Sequence, residues 1–463
     1  MELEKTFEEL FDEQREKMME LIEGKNYKAA RDMLLEIGNE ADIAEAMEYI
    51  IDDFEIDKAV ILFRMLPKDI SVEVFAYLPT DDQVDIINKI TDKEIQFILD
   101  EMYFDDMIDV LEELPANIVS RILEKTPREE RKLINTFLNY PDDCAGSIMT
   151  PDYISLHESM TVAQALQKIK REGVDSETVY TCYVKDAGRR LIGIVSLRKL
   201  VVADEDAIIG DIMHDDYVYV NVTDDQEEVA EAFKKYDYLA MPVVDKEHRI
   251  VGIITVDDII DVIEEETTED FELMAGIMDS SDKEYLDMSV MHHVKSRLPW
   301  LILLSVSLMI TGAIISRFEA MLSSVIALVS YLPLLMGTGG NTGSQAATLI
   351  IRGITVGDLE PRDALRVLWK EFRISLVIGL VISAINFVKI LVLDRESVMI
   401  ATVVCLSMMV VIAFAKIVGG MLPMLAKKIG IDPALMATPM ISSITDMASV
   451  LTYFLLASIL LGI

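Results

Sequence analysis

The sequence is poor in the residues on which catalytic and disulfide-stabilised proteins often depend. Its 463 residues include three cysteines, five histidines and two tryptophans. Cys144, Cys182 and Cys405 are far apart and match no metal-binding or disulfide pattern. No Ser-His-Asp set, Cys–His pair or phosphate-binding glycine loop is recognisable, so we predict that the protein is not an enzyme.

Basic residues are scarce in the first two thirds of the chain. Of 42 Lys and Arg and 80 Asp and Glu in total, only 11 bases and 9 acids lie in residues 298–463. Residues 1–297 therefore carry 31 bases and 71 acids, a net charge of −40. Such a field repels nucleic acid and anionic lipid and attracts multivalent cations. A solvated acidic surface without a bound cation would have the same composition.

Long uncharged segments distinguish the last third of the chain. Residues 298–316 form the first, and four more at about 320–351, 372–393, 397–424 and 433–461 bring the predicted membrane spans to five. The first ten residues, MELEKTFEEL, lack the basic segment and apolar core of a secretion signal. Basic residues before span one, between spans two and three, and between spans four and five place the N-terminus in the cytoplasm and the C-terminus outside. We expect a multi-pass protein of the cytoplasmic (inner) membrane.

The second uncharged segment is too long for one straight span. Its 32 residues would extend about 48 Å at ~1.5 Å per residue. Within it lies LMGTGGNTGSQ, residues 335–345, and we predict a helix break at Gly337–Gly343 that turns backbone oxygens towards a cavity. Polar residues then recur on one helical face, at Asn341, Gln345, Thr348 and Arg352.

The fifth predicted span carries an acidic side chain. If its helix starts at Asp432-Pro433, Asp446 lies 13 residues along it, about 20 Å into the bilayer. An ionisable group at that depth indicates function. Ser442 and Thr445 belong to a polar stripe beside it, which suits a cation path or, alternatively, hydrogen bonds to a neighbouring helix. Asp446 is interpreted as the lone buried charge of the spans, which disfavours an anion channel.

A short period marks the first part of the soluble half. Pro67, Pro79, Pro115 and Pro127 are separated by 12 residues or multiples of 12. Proline is favoured at the first position of a helix, so the spacing predicts a superhelical stack of short helices. An irregular helical bundle is the alternative.

A longer repeat follows between residues 143 and 270. RLIGIVSLRKL (190–200) matches RIVGIITVDDI (249–259), and each copy has the pattern strand, helix, strand, strand, helix. This pattern resembles a tandem pair of CBS domains, an α/β regulatory module that often binds adenine nucleotides. Thr255 and Asp258 of the second copy suit a ribose, whereas the first copy has Lys199 in place of the acid.

The densest acidic run is TVDDIIDVIEEETTED, residues 255–270, which contains no base. In a helix, like charges on one face repel, and a divalent cation would relieve the repulsion. Carboxylate oxygens suit Mg²⁺ or Ca²⁺. Similar acidic groups occur at residues 105–109 and around a predicted helix at 227–237. A solvated acidic face remains the alternative.

The whole chain resembles the MgtE family of magnesium transporters. The specific motifs are GTGGNTGSQ, TVDDIIDVIEEETTED and ATPMISSITD. The resemblance implies a multidomain membrane protein with a cytoplasmic α-helical superhelix, a tandem CBS pair, a connecting plug helix and a five-helix transmembrane domain. The predicted ranges are 1–142, 143–270, 271–297 (the plug helix at about 282–297) and 298–463.

The resemblance also implies a function and its residues. It implies a homodimer that takes up Mg²⁺ through one channel-like pore on the two-fold axis, gated by cytosolic Mg²⁺. The pore residues are then Asp446 and Ser442 with Asn341 nearby, and the polar stripe adds Thr445. Regulatory Mg²⁺ ligands are expected among Asp105, Asp109, Glu227, Asp237, Asp258, Asp261, Glu266, Glu269 and Asp270.

Two alternatives remain open from the residues. The protein could transport another divalent cation such as Co²⁺, although the spans lack soft or imidazole ligands. It could instead be a membrane-anchored ion or nucleotide sensor that transports nothing. An adenine nucleotide at Thr255 and Asp258 is a candidate second ligand beside Mg²⁺.

Overall fold

A computed structural model describes residues 17–53, 56–174, 176–278, 285–286, 288–436 and 438–462. The chain divides into two compact units, Met1–Ile263 and Glu264–Ile463.

The first unit begins with short helices, as the proline period predicts. They are α1 Tyr27–Ile37, α2 Glu40–Asp53, α3 Ile56–Phe63, α4 Lys68–Ala76, α5 Thr80–Lys89, α6 Asp92–Glu101, α7 Phe104–Glu113, α8 Ala116–Lys125 and α9 Arg128–Phe137. The four periodic prolines directly precede α4, α5, α8 and α9, with φ between −55° and −51° and ψ between 134° and 148°. Because this backbone is extended, each proline is the N-cap, one residue earlier than predicted.

Two similar three-stranded sheets follow the helical stack. The first copy contains β1 Tyr153–His157, α10 Val162–Glu172, β2 Thr178–Lys185, β3 Leu191–Ser196 and α11 Leu197–Val202. After α12 (Ile209–Ile212), the second contains β4 Val220–Asn221, α13 Gln226–Tyr236, β5 Ala240–Val244, β6 Ile250–Thr255 and α14 Val256–Ala275. In each sheet the middle strand pairs parallel with one neighbour and antiparallel with the other. The predicted order of strands and helices is therefore confirmed in both copies.

The first unit has a shared apolar core. Ile108 of α7 belongs to the same buried cluster as Met241 of β5 and Ile259 of α14. The two sheets are also linked reciprocally, because the Tyr153 hydroxyl donates to the Ile250 carbonyl at 3.2 Å and the Tyr217 hydroxyl donates to the Leu191 carbonyl at 2.7 Å. Residues from the helical stack and the CBS copies are thus held within one body.

The acidic run is helical, as expected, since α14 spans Val256–Ala275. A turn at Gly276, with φ +74°, follows it. The next helix, α15, begins at Val290 and continues to Arg317. The later part of the predicted connecting helix, from Val290, therefore continues into the first span without a break. The earlier part of the prediction is wrong, because residues 285–286 form a turn and Ser289 is the N-cap. Residues 279–284 and 287 lie outside the described residues.

The second unit is built from long helices. They are α15 Val290–Arg317, α16 Glu319–Ser324, α17 Leu332–Thr355, α18 Ala364–Val392, α19 Val398–Ile429 and α20 Thr438–Leu461. Short 3₁₀ turns at Ile326–Tyr331, Pro361–Asp363 and Pro433–Met436 precede α17, α18 and α20. Among the described residues, four helical segments are long and apolar enough to cross a membrane: Val290–Arg317, Pro361–Val392, Val398–Ile429 and Pro433–Leu461. The second predicted span, which contains α17, is not among these four, so the count of five spans stays a prediction.

The predicted break at Gly337–Gly343 is wrong. Helix α17 is continuous through all of these glycines. The 32-residue segment is interrupted upstream instead, at Val325 and the 3₁₀ turn Ile326–Tyr331. The glycines have a different role, which follows from their neighbours.

Candidate cation sites

The glycines of α17 allow close packing of three helices. A Cβ atom on Gly419 of α19 would lie 2.2 Å from the Gly343 carbonyl oxygen. A Cβ atom on Gly343 would lie 2.7 Å from Cγ2 of Ile441, and one on Gly339 2.9 Å from Oγ of Ser449. Both of these neighbours belong to α20. Small residues at such crossings let membrane helices approach each other closely.

A polar face lies on the other side of α17. The side chains predicted to share it are all exposed within the chain: Asn341, Gln345, Thr348 and Arg352. Gly337 lies on the same face, and a Cβ atom added to it would meet no atom of another helix within 4 Å. Polar groups at membrane depth are tolerated where water or protein surrounds them. This face is thus suited to line an aqueous path.

Asp446 is half-buried on α20. Asp432 does cap a turn, since its Oδ1 accepts from the Ala434 N–H at 2.7 Å. That turn is the 3₁₀ segment, however, and the α-helix begins only at Thr438. Asp446 therefore lies eight residues, about 12 Å, along the α-helix, and 13 residues along the membrane-crossing segment that starts at Pro433. Ser442, one turn earlier, contacts α17, because its Oγ would be 3.2 Å from a Cβ on Gly340.

The hydroxyls that follow Ser442 are used within the protein. Thr445 is fully buried and its Oγ1 donates to the Ser442 carbonyl at 3.0 Å. Ser449 is also buried and its Oγ donates to the Thr445 carbonyl at 2.5 Å. Both acceptors belong to α20 itself, so these two hydroxyls do not make the hydrogen bonds to a neighbouring helix that were the alternative, although both side chains pack near the α17 glycines. The pore role of Thr445 stays a prediction.

A cluster of carboxylates forms inside the first unit. It is made by Asp105, Asp106 and Asp109 of α7, Glu177 just before β2 and Asp258 of α14, and we call these five residues the acidic cluster. Burial is the main cause that raises the pKa of each, and mutual repulsion adds to it. The pKa is about 6 for Asp106, about 7 for Asp105 and Asp258, and about 8 for Asp109 and Glu177. Every charged neighbour that contributes to these shifts is another carboxylate.

The acidic cluster is crowded but is not a preformed metal cage. In the part of the chain that the structure describes, no three His, Cys, Asp or Glu side chains are arranged to hold one ion. Oδ1 of Asp105 and Oε2 of Glu177 are nevertheless buried without a hydrogen-bond partner. Hard oxygen donors of this kind, with two atoms unsatisfied, fit a divalent cation such as Mg²⁺.

The remaining predicted ligands are dispersed. Glu227 lies at the start of α13, and Asp237 is its C-cap with φ +53°, so ten residues and about 15 Å separate them. The two cannot bind one ion within a single chain. On α14, Asp261 and Glu269 are exposed while Glu266 and Asp270 are half-buried.

Asp270 has an acidic neighbour outside its own helix. Burial, then the nearby Asp432 and Glu269 carboxylates, raise the pKa of Asp270 to about 6, while Lys427 opposes them. Asp432, which sequence reasoning used only as a helix cap, thus becomes a candidate cation ligand.

The two residues that were predicted to bind a nucleotide, Thr255 and Asp258, are hydrogen-bonded to each other. Oγ1 of Thr255 donates to Oδ2 of Asp258 at 2.7 Å, and Asp258 also belongs to the acidic cluster, a poor place for phosphates. A cavity of about 710 Å³ lies elsewhere between the two CBS copies. Its lining includes Tyr180, Tyr183, Ser196, Arg198, Asp237 and Tyr238.

Comparisons with known proteins match the whole arrangement. The divalent cation transporter family MgtE matches residues 332–456, the MgtE intracellular N domain residues 38–143, and the CBS domain residues 145–206 and 209–265. A protein of Thermus thermophilus named magnesium transporter MgtE is 36% identical over 96% of this chain and 98% of its own. The chain belongs to the MgtE family. The relative of the same name from Bacillus subtilis is 31% identical over 88% of this chain and 92% of its own.

Solved cytosolic regions of the MgtE family are also similar. The cytosolic domain of the Mg²⁺ channel MgtE in complex with ATP has 34% identity and a TM-score of 0.49, covering 53% of this chain and 98% of that one. The soluble part of a magnesium transporter has 31% identity and the same TM-score, covering 55% and 98%. The matches to the three family models and the long apolar helices make this chain a membrane-spanning protein with a helical N-terminal domain and a CBS pair.

Sequence reasoning missed one charged pair in the second unit, which carries the long apolar helices and is called the membrane unit. Lys416 of α19 and Glu371 of α18 are 4% and 6% exposed, and Nζ lies 3.5 Å from Oε2. Asp446 is therefore not the lone charge within the helices. Glu371 escaped notice because the third span was predicted to start at residue 372, whereas α18 starts at Ala364. The lysine inside an apolar run was the available signal.

Titration of the acidic cluster gives a testable expectation. The folded-state pKa values exceed the ordinary values of 3.8 and 4.5, so the folded state binds more protons between about pH 4 and pH 8. The contribution of these groups to the free energy of unfolding is therefore complete below about pH 4, and it is lost as the pH rises through 6 to 8. Without Mg²⁺, the amides of α7 should therefore have lower protection factors at pH 8 than at pH 6, where the protection factor is the ratio of the intrinsic exchange rate at each pH to the observed rate.

The same experiment tests cation binding. If Mg²⁺ neutralises these carboxylates, it should slow exchange in α7 at pH 8 more than at pH 6, because protons do not compete at the higher pH. Sodium at matched ionic strength is the control. Equal protection by sodium, or no pH dependence, would contradict the expectation. The measurement uses the full-length chain in detergent.

Proposed function

We propose that this protein is a homodimeric, channel-like Mg²⁺ uptake system of the cytoplasmic membrane, without an enzymatic step, with α17 and α20 as the pore walls. The observation that carries the proposal is the half-buried carboxylate of Asp446 on α20, one turn from Ser442, where α20 contacts the glycine face of α17. Mg²⁺ releases its waters reluctantly, so a single carboxylate per chain is suited to hold the hydrated ion. An inside-negative potential would drive entry.

The exposed polar face of α17 supports a second subunit. Asn341 and Gln345 are exposed within one chain, on the face opposite the packed glycines. In a dimer around a two-fold axis, two copies of this face and two Asp446 side chains would enclose one aqueous path. With five spans and the basic residues on the inner side of the membrane, the N-terminus is cytoplasmic and the C-terminus outside.

The acidic cluster supports regulation by cytosolic Mg²⁺. At high Mg²⁺ the cation would neutralise the crowded carboxylates and stabilise a compact soluble unit, with the pore closed. At low Mg²⁺ their repulsion would loosen that unit and favour the open pore. Further candidate ligands are four residues of α14, namely Asp261, Glu266, Glu269 and Asp270, and the two separate residues Glu227 and Asp237. The last two would need other partners, since one chain keeps them about 15 Å apart.

The CBS cavity supports a second ligand, an adenine nucleotide. Tyrosines such as Tyr238 could stack on the base, and Arg198 could bind phosphate. Asp237 could accept a hydrogen bond from the nucleotide, and Ser196 could donate one. This location is preferred to the Thr255–Asp258 pair, whose carboxylate lies among other acids.

Flux through reconstituted full-length protein tests the proposal. Liposomes with an inside-negative potential should take up Mg²⁺ faster than Co²⁺ or Ca²⁺, and internal Mg²⁺ should slow uptake. Addition of ATP should shift the concentration of internal Mg²⁺ that closes the pathway. Equal or faster Co²⁺ uptake would favour the alternative transporter, and no uptake of any divalent cation would favour a non-transporting sensor.

A further inference from the structure

One face of α18 carries both basic and apolar side chains. The bases are Arg362, just ahead of the helix, then Arg366, Lys370 and Arg373, and we call these four residues the basic stripe. Their spacing of four, four and three residues places them on one helical face. All four are exposed, in contrast to Val367 and Glu371, which are buried on the opposite side.

The charges of the basic stripe are only partly balanced within the chain. Arg362 and Arg366 contact Glu360 and Asp363 at 2.9 and 3.0 Å, with exposed side-chain fractions of 78% and 88%. Within the described ranges, no acidic side chain pairs with Lys370 or Arg373. The buried Glu371 is directed to Lys416 instead. The exposed face therefore retains positive charge.

An aromatic side chain lies within the basic stripe. Trp369 is 58% exposed, and the Arg373 guanidinium lies 5.8 Å from the centre of its ring. Exposed tryptophan is typical of the membrane–water boundary. The same face then continues as an apolar ridge with Leu376, Val377 and Leu380, all exposed. Headgroup-binding charges thus lead directly into a surface for acyl chains.

We propose that the basic stripe and its apolar ridge form a binding surface for an anionic phospholipid. The bases would bind the headgroup phosphate, Trp369 would lie at the level of the glycerol, and the ridge would contact an acyl chain. Charge complementarity selects an anionic over a zwitterionic headgroup. The expectation that the protein repels anionic lipid applies to the acidic residues 1–297, whereas this surface lies on the membrane unit.

Fluorescence quenching of Trp369 tests the surface directly. The chain has two tryptophans, so Trp300→Phe leaves Trp369 as the single reporter. The full-length variant is reconstituted in phosphatidylcholine with increasing fractions of brominated phosphatidylglycerol or brominated phosphatidylcholine. We expect the anionic lipid to bind at least about fivefold better, the factor that one surface cation contributes. High salt should reduce this preference.

Matched charge removals complete the experiment. Arg366→Gln with Lys370→Gln should lower the preference at least about fivefold, since two of the four headgroup cations are lost. Arg317→Gln with Arg395→Gln removes two exposed bases elsewhere in the same unit and should leave it unchanged. If Trp300→Phe does not fold, native mass spectrometry of the unaltered chain can count bound lipids of each kind.

Four outcomes would overturn the proposal. The first three are equal quenching by the two lipids, an unchanged preference after the Arg366 and Lys370 substitutions, and an equal loss in the control pair. Trp369 shielded from both lipids would mean that protein, rather than lipid, covers the surface, and it too overturns the proposal. None of these outcomes depends on Mg²⁺ flux, so the test is independent of the transport proposal.

Discussion

Asp446→Asn is expected to lower Mg²⁺ flux at least about tenfold. By Coulomb's law, a divalent cation about 5 Å from one carboxylate gains about 1.7 kcal/mol even at the dielectric constant of water. Removal of that energy from a rate-limiting position in the pore costs about tenfold or more in rate. Asparagine keeps the shape of the side chain, so the loss would reflect charge. Uptake into liposomes that contain a fluorescent Mg²⁺ indicator measures it.

A second acid in the same unit provides the control for Asp446. Glu319 is exposed at the start of α16, and Glu319→Gln removes one negative charge from the surface of the membrane unit. This variant should retain the parent flux. Full flux in Asp446→Asn, at equal amounts of folded protein, would show that the carboxylate does not determine passage.

Gly419→Ala is expected to destabilise the membrane unit. The new methyl group would lie 2.2 Å from the Gly343 carbonyl oxygen, a backbone atom of α17 that cannot rotate away. Helices α17 and α19 would have to separate, and overpacking of this kind costs about 1–3 kcal/mol or more. For a unit of this size the melting temperature should fall by about 2–12 °C. Thermal unfolding in detergent measures the change.

The same segment provides a matched glycine for comparison. A Cβ on Gly337 would have no neighbouring atom within 4 Å, although Gly337 belongs to the same helix as Gly343. Gly337→Ala should leave the melting temperature unchanged or raise it slightly, because alanine has the higher helix propensity. Equal effects of Gly337→Ala and Gly419→Ala would mean that the glycines do not act through close helix packing.

Much of the fold was predictable because the periods in the sequence are strong. Paired strand motifs and long uncharged runs each indicate one architecture, and prolines twelve residues apart favour a stack of short helices over an irregular bundle. The glycines of LMGTGGNTGSQ were not decisive, because glycine suits a helix break and a tight helix crossing equally well. Only the positions of Gly419 and Ile441, distant in sequence, distinguish the two.

The candidate site was predictable in part for a similar reason. Asp446 is conspicuous in an apolar run, and residues 255–270 are conspicuous by charge alone. Glu177 is an isolated acid near a strand, and its place beside Asp105 and Asp258 depends on how the helical stack packs on the CBS pair. Helical spacing also placed Thr445 on the polar stripe of α20. Spacing alone does not show that α17 covers this part of the helix and buries the Thr445 side chain.

The Lys416–Glu371 pair has a consequence for the biosynthesis of the membrane unit. Inserted alone, α18 would carry an unpaired glutamate near its start and α19 an unpaired lysine near its middle, where a charged lysine costs about 2.5–3.5 kcal/mol during insertion. Only five residues separate the end of α18 at Val392 from the start of α19 at Val398. The two helices are therefore suited to enter the bilayer together as a hairpin, so that each charge is neutralised by its partner before either meets lipid.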